Sequence, residues 1–434
     1  MSKGAWSLEQ GDCRDVVRRW ADEGIRFDAC VTDPPYDLIR VVKRFGSPTA
    51  APAKSNGATG VYARASAGFM GQQWDGTGVA FDPETWSAVY NALKPGAYLA
   101  AFGGTRTFHR MAVAIEDAGF EIRDTLCWLY GTGFPKSLDV SKALDKAAGA
   151  ERPVIGKTIA PRKALDANPE SSKYGFGVGE IDVTAPATAA AAAWVGWGTA
   201  LKPAWEPIIP ARRPLVGTVA ANVLAHGTGG INIDACRIPA ERMTGWGGGA
   251  AGGNTWTGEN CGLAKDGPAR PVDGRWPANV LHDGSPEVLA AFGVYGDKPG
   301  QLARARTDLA PQNNKIYGAL RYGTHKPEPR GDVGTAARFF NTCSWEEDDL
   351  RFFYSSKASR ADRAGSKHPT VKPLSLMRWL VTLVCQPGGL ILEPFAGSGS
   401  TVQAAVERGF DCMAVEMGED YCADIRNRME NIGD

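Results

Sequence analysis

Short apolar runs closed by turn residues alternate with segments of helical spacing at both ends of this chain, and the middle loses that rhythm. Near the start, Phe27 to Thr32 is a largely apolar run that stops at Asp33-Pro34-Pro35-Tyr36, the mark of a short buried strand. Phe81, Trp86, Val89 and Leu93 lie at helical spacing, and Lys94-Pro95-Gly96 breaks the pattern before a second buried strand, Ala97 to Phe102. Phe108 to Asp117 fits a helix closed by Gly119, and Phe120 to Tyr130 reads as strand. After about residue 350 the alternation returns, with a helix over Leu374 to Val384 introduced by Pro373 and a strand over Gly389 to Glu393. A helix over Ser400 to Arg408 stopped by Gly409, a strand over Phe410 to Val415 and a terminal helix over Glu419 to Met429 complete it. Such alternation predicts an α/β fold with a parallel, doubly wound sheet.

Residues 150 to 345 have weak periodicity, an alanine run (185–193), a glycine-rich patch (246–253) and many Pro, Asn and Thr. They read as a large central insertion rich in loops, dividing the chain into segments 1–149, 150–345 and 346–434. The Gly/Ala/Ser-rich stretch 40–75 follows the Asp-Pro-Pro-Tyr turn and is expected to form a mobile loop over it.

At 434 residues the chain exceeds a typical single domain, which fits one domain with an insertion or two domains. No run approaches the ~18 to 20 apolar residues of a membrane span, and the first residues lack a basic segment followed by an apolar one. A cytoplasmic location without membrane contact is the expectation. Nine cysteines with no CxxC pair favour reduced, buried thiols over disulfides or zinc. Zero formal net charge argues against nonspecific coating of nucleic acid, but charge is unevenly spread. Six Lys/Arg against Asp362 lie between Arg351 and Lys372, after the acidic run Glu346-Glu347-Asp348-Asp349. This basic stretch is either a solvated face or a contact with phosphate.

Two motifs carry chemistry. An exocyclic base amine is a poor nucleophile because its lone pair is delocalised into the ring. The Asp33 carboxylate and the Pro34 carbonyl suit accepting both of its N–H groups, which frees that lone pair. Proline has no N–H, so Pro34 and Pro35 leave these acceptors unopposed, and Tyr36 offers a ring for stacking. The second motif is the glycine loop Phe395-Ala396-Gly397-Ser398-Gly399-Ser400-Thr401, which lets a cofactor approach the main chain. It lacks the third glycine of the dinucleotide fingerprint, which argues against a nicotinamide. Glu416 closes the next strand, 19 positions beyond Gly397, a spacing that suits a carboxylate accepting two ribose hydroxyls; an incidental strand-end acid is the alternative. Together the motifs suggest an amino-methyltransferase using S-adenosylmethionine (SAM), with Lys372 a candidate partner for the methionine carboxylate. His368, before a proline, is assigned no chemical role.

Asp33-Pro34-Pro35-Tyr36, His368-Pro369-Thr370-Val371-Lys372-Pro373, Glu393-Pro394-Phe395-Ala396-Gly397-Ser398-Gly399-Ser400-Thr401 and Val415-Glu416-Met417, in this order, resemble the β-class DNA amino-methyltransferases. The resemblance covers about 1–145 and 350–434; the centre has looser similarity to phage and prophage enzymes of the class. It implies a Rossmann-like methyltransferase, circularly permuted so that the catalytic motif precedes the SAM motif, with target recognition in 150–345. Asp33, Pro34, Pro35 and Tyr36 would be catalytic. Asp12 and Cys13 (in Gly11-Asp12-Cys13), Asp33, Lys372, Glu393, Phe395, Ala396, Gly397, Gly399 and Glu416 would face the cofactor. Asp12 would meet its adenine and Glu416 its ribose; the family more often has Asp where this chain has Glu393.

The implied reaction is methylation of adenine N6 in duplex DNA after base flipping, with no metal. Adenine is favoured because Asp opens the motif, whereas cytosine-N4 relatives more often open with Ser. Cytosine N4 is the alternative, followed by an RNA or protein-amide methyltransferase, whose motif commonly begins with Asn, and a non-catalytic SAM- or DNA-binding module. The family also suggests a homodimer, which the tryptophans at 194, 197, 205, 246, 256 and 276 would suit as interface or as an internal core.

Overall fold

The computed structural model describes residues 3–36, 77–131, 133, 137–163, 176–240, 243–244, 271–272, 274–301, 313–314, 318–319, 329–343 and 371–432. The loop expected over 40–75, the basic stretch up to 370, His368, Trp246 and Trp256 lie outside these residues. The chain divides into two compact units, 1–132 with 205–434, and 133–204.

The first unit opens with β1 (Trp6–Gln10), α1 (Cys13–Asp22) and β2 (Phe27–Thr32), then α2 (Pro83–Ala92), β3 (Leu93–Phe102), α3 (Phe108–Asp117), β4 (Glu121–Ile122) and β5 (Leu126–Leu129). In the second unit lie α4 (Val140–Ala147), the hairpin β6 (Val154–Lys163) and β7 (Phe176–Thr184), and α5 (Ala189–Ala193). The first unit resumes with β8 (Trp205–Arg212), α6 (Val219–His226), β9 (Val280–His282), α7 (Pro286–Gly293) and β10 (Asn341–Thr342). It ends with α8 (Leu374–Val384), β11 (Leu390–Glu393), α9 (Ser400–Glu407), β12 (Asp411–Glu416) and α10 (Glu419–Glu430).

One mixed sheet runs β1-β12-β11-β2-β3-β8-β5-β9-β10, with β4 also on β8. Strands β1, β12, β11, β2 and β3 are mutually parallel, and β8 alone runs against both its neighbours. Because β2 is covered on both faces, all six of its residues are buried, as a central parallel strand requires. Ala29 and Val31 pack with α8, α9 and α10 through Leu376, Leu380, Val402 and Ile425. Cys30 joins the opposite face, where α1, α2 and α3 contribute Val17, Trp86, Val89 and Ile115. Each such large apolar side chain, fully buried, stabilises by roughly 1.5–3 kcal/mol, so the two cores hold the sheet rigid beneath its loops.

The α/β alternation expected at both ends is present, with three differences of detail. The helical pattern ends before Lys94-Pro95-Gly96, as expected, but these residues belong to β3, which starts at Leu93 and not at Ala97; Gly96 takes φ +79°, and a side chain there would strike Asn222. The stretch 120–130 is two short strands, not one. The expected helix starting at Phe81 begins at Pro83, where Asp82 accepts the Glu84 N–H and proline fits the first turn.

The larger difference concerns the middle. Residues 205–212 are a central strand of the main sheet, and β9 and β10 extend it, so the compact division falls at 132/133 and 204/205. Within 133–204, the hairpin β6/β7 pairs antiparallel, and the buried Asp145 gathers the Ala187 and Thr188 N–H groups and the Arg152 guanidinium. Trp194 and Trp197 make an edge contact at 4.9 Å while staying half-exposed.

Candidate active site

The carboxyl ends of four adjacent strands collect the residues singled out in the sequence. β1 leads to Asp12, β12 ends at Glu416, β11 ends at Glu393 before the glycine loop, and β2 runs into Asp33. Two pairings fix this: Gln10 lies opposite Glu416 in β1/β12, and Leu392 lies opposite Cys30 in β11/β2. Loops at this end of an open α/β sheet are where such folds bind ligands.

On the cofactor side the backbone is set by a carboxylate. Glu416 accepts the Gly397 N–H at 2.8 Å on one oxygen and the Gly418 N–H at 2.8 Å on the other. Burial raises its pKa above the ordinary carboxylate value, opposed by those N–H bonds. Gly399 caps α9 at φ +79°, a left-handed conformation that glycine adopts without steric cost, and a Cβ there would come within 3.1 Å of Ile425. Ala396 N–H bonds the Val415 carbonyl at 2.9 Å, which ties the loop back to β12. Phe395 packs against the α1–α3 side of the core.

Asp12 caps α1, accepting the Arg14 N–H at 2.9 Å. The Arg14 guanidinium on its carboxylate, 2.6 Å away, holds the acid below its ordinary value. Cys13 is buried, and burial pushes its thiol up to about 12, so it is a packed thiol at neutral pH. All eight described cysteines are free.

Glu393 is 1% exposed. Its Oε1 accepts the Thr32 hydroxyl at 2.5 Å and the Phe395 N–H at 3.0 Å. Burial pushes its pKa up to about 7, against hydrogen bonds from Thr32, Thr401 and Phe395 that favour the charged form.

At the end of β2 Tyr36 donates to Asp33 Oδ1 at 2.8 Å, and its carbonyl accepts the Thr107 hydroxyl at 3.0 Å. Gly104 lets the Tyr36 ring lie close, since a Cβ there would meet it at 3.2 Å. The Lys372 ammonium bonds Asp33 Oδ2 at 2.5 Å and the Tyr36 hydroxyl at 3.2 Å. It also stands 4.7 Å from the Phe102 ring centre, a cation–π distance, and 3.8 Å from Glu206. The partners found for Lys372 thus lie around the Asp33 motif.

Sequence reasoning missed Glu206, Thr32, Thr107 and Phe102. Phe102 and Thr32 end buried strands beside the motifs, which was a usable signal. Glu206 was hidden because Pro207 and Pro210 in Trp205-Glu206-Pro207-Ile208-Ile209-Pro210 argue against a central strand. The sheet accepts them because their carbonyls still pair: Gly103 N–H bonds the Pro207 carbonyl at 2.9 Å and Arg123 N–H the Pro210 carbonyl at 2.8 Å.

Residues 271–427 match the family model described as DNA methylase, and the match holds Lys372, Glu393, the glycine loop and Glu416. Over 54 residues the chain is 41% identical to the putative methylase YubD of Escherichia coli (strain K12), covering 12% of this chain and 24% of that protein. The DNA adenine methyltransferase YhdJ of the same organism is 35% identical over 54 residues, 12% of this chain and 18% of YhdJ. The matches thus span about a quarter or less of these two relatives. Among solved structures, the M1.HpyAVI–SAM complex aligns over 98% of both chains at 11% identity and a TM-score of 0.38.

Proposed function

We propose that this chain transfers a methyl group from SAM to the N6 amino group of adenine in duplex DNA. The observation that carries the reading is the join between the two motifs: β2, which delivers Asp33, lies parallel to β11, which delivers the glycine loop, and Thr32 bonds Glu393 across them. The order of the motifs, catalytic before cofactor, is that of a circularly permuted methyltransferase.

The residues present fit SAM. A half-buried carboxylate, Glu416, held by two backbone N–H groups, retains lone pairs for ribose hydroxyls. The two left-handed glycines, Gly397 at φ +51° and Gly399 at φ +79°, keep side chains out of the cofactor's path. Phe395, Ala396, Asp12 and Cys13 would line it, and Glu393 would face its ammonium. When bound, SAM supplies the activated methyl group.

The protein's part is to hold and activate the amine. Asp33 and the Pro34 carbonyl accept its two N–H groups, which localises the nitrogen lone pair, and the Asp33 carboxylate takes the proton released as nitrogen becomes alkylated. Tyr36 stacks on the base, which must leave the helix at a cost of a few kcal/mol to reach Asp33. Positioning at near-attack distance supplies much of the rate.

Adenine N6 is preferred to cytosine N4 on the Asp that opens the motif; the local similarity to YhdJ supports it. The enzyme works in the cytoplasm on double-stranded DNA. Mass spectrometry of nucleosides from DNA of cells expressing the chain tests this directly. N6-methyladenine is expected; N4-methylcytosine in its place would overturn the choice of base, and neither base modified would overturn the reaction. We also infer a homodimer from the half-exposed Trp194 and Trp197 and the exposed Trp276. Light scattering with and without DNA should give twice the 46.2 kDa of one chain; a single species at that mass, fully active, would refute it.

A further inference from the structure

Glu206 is a buried carboxylate that the reaction above does not use. It is the second residue of β8, whose reversed direction brings the start of that strand to the end of the sheet where β3 and β5 finish, at Phe102 and Leu129. It is 3% exposed, and its Oε2 lies 3.8 Å from Lys372 Nζ. Lys372 is 4% exposed, so one buried ammonium stands between two carboxylates, 2.5 Å from Asp33 and 3.8 Å from Glu206. Charges withdrawn from water must stay paired. The target amine nevertheless needs the Asp33 carboxylate that Lys372 holds. These demands conflict unless the lysine has a second counter-charge within reach.

We propose that Glu206 is a positioning residue that receives the Lys372 ammonium when the target amine occupies Asp33. The proposal rests on the methyltransferase reading and adds to it how Asp33 is released. Closing the gap to Glu206 to a hydrogen bond near 2.8 Å takes a shift of about 1 Å, which the four-carbon lysine stem permits. No proton moves in the exchange: Lys372 remains an ammonium, both carboxylates remain anions, and a neutral amine replaces a cation on Asp33. Before the base arrives, the lysine holds the Asp33 side chain in place.

The test is a double-mutant cycle on the full chain, with tritiated SAM and unmethylated DNA as substrates. Glu206→Gln keeps the shape and removes the counter-charge, so kcat should fall about fivefold or more while the SAM dissociation constant from calorimetry is unchanged. Adding Glu206→Gln to Lys372→Met should change kcat less than about twofold, since no ammonium is left to receive. Equal losses in both backgrounds, or normal kcat in Glu206→Gln, would overturn the proposal. Should Lys372→Met be inactive or unfolded, Glu206→Asp decides, because it restores the charge. Recovery toward wild type supports the proposal, and an Asp variant as impaired as the Gln variant overturns it. A wild-type chain that transfers no methyl to DNA fails the methyltransferase reading and this proposal with it. An active wild type with Glu206→Gln unaffected fails this proposal alone.

Discussion

Thr32 and Glu393 are 361 positions apart in sequence and 2.5 Å apart in space, hydroxyl to carboxylate. Each is the last residue of its strand, and each precedes one of the two motifs. The bond therefore fixes the spacing between the turn that presents Asp33 and the loop that bends at Gly397. A carboxylate one methylene longer than Asp reaches across the strand gap and still accepts the Phe395 N–H at 3.0 Å.

That arrangement makes stability depend on pH. Burial raises the Glu393 pKa from 4.5 to about 7, so the folded chain holds its proton more tightly than the unfolded chain. The associated stability is full below the ordinary carboxylate value and is lost as pH rises through about 7, amounting to about 3 kcal/mol. Denaturant unfolding of wild type and Glu393→Gln between pH 5 and 8 checks it. The wild type should lose stability relative to the variant as pH rises; parallel profiles would show that Glu393 does not titrate in this range.

Asp33→Ala should lower methyl transfer by about a hundredfold or more, the scale of a lost group that accepts a proton in the transition state. SAM affinity should change little, because the carboxylate is assigned to the amine. A tritiated-methyl assay and calorimetry separate the two effects. Turnover near wild type would remove Asp33 from the chemistry.

Much of this site was legible in the sequence because its residues sit where local patterns end. Asp33 and Glu393 mark the stops of apolar runs, and Gly397 and Gly399 take left-handed conformations that glycine adopts without strain. What stayed hidden depends on partners distant in sequence. β1 was not predicted because Trp6–Gln10 is half-exposed and borders the sheet, held by parallel pairing to β12. Glu206 was lost among prolines that normally exclude a central strand. The place of Lys372 before α8 is visible in the sequence, while its contacts with Asp33 and Phe102 arise only from tertiary packing.

Glu416→Ala should weaken SAM binding by roughly 1.5–3 kcal/mol for each hydrogen bond lost to a charged acceptor. Part of the loss comes through the loop, because the Gly397 and Gly418 N–H groups lose their acceptor. Glu416→Gln, which retains one acceptor oxygen, should lie between the two. Calorimetry giving an unchanged dissociation constant for the Ala variant would reduce Glu416 to a strand-end residue.

Residues 150–345 were expected to read the DNA target, and the structure narrows where an exchange can be made. Replacing the whole segment would remove β8, and with it a central strand and Glu206. Residues 133–204 instead form a compact unit of their own, with the half-exposed Trp194 and Trp197 and the exposed Val154 and Ile155 at its surface. Hairpins and loops carried on a rigid scaffold are suited to contacting bases, while backbone contacts fix the register. Exchanging 150–204 for the corresponding stretch of a related enzyme should change the methylated sequence and leave the methylated atom unchanged. Modification-sensitive sequencing of DNA from cells expressing the chimera reads both at once. A folded, active chimera that keeps the original sequence preference would move recognition out of this stretch.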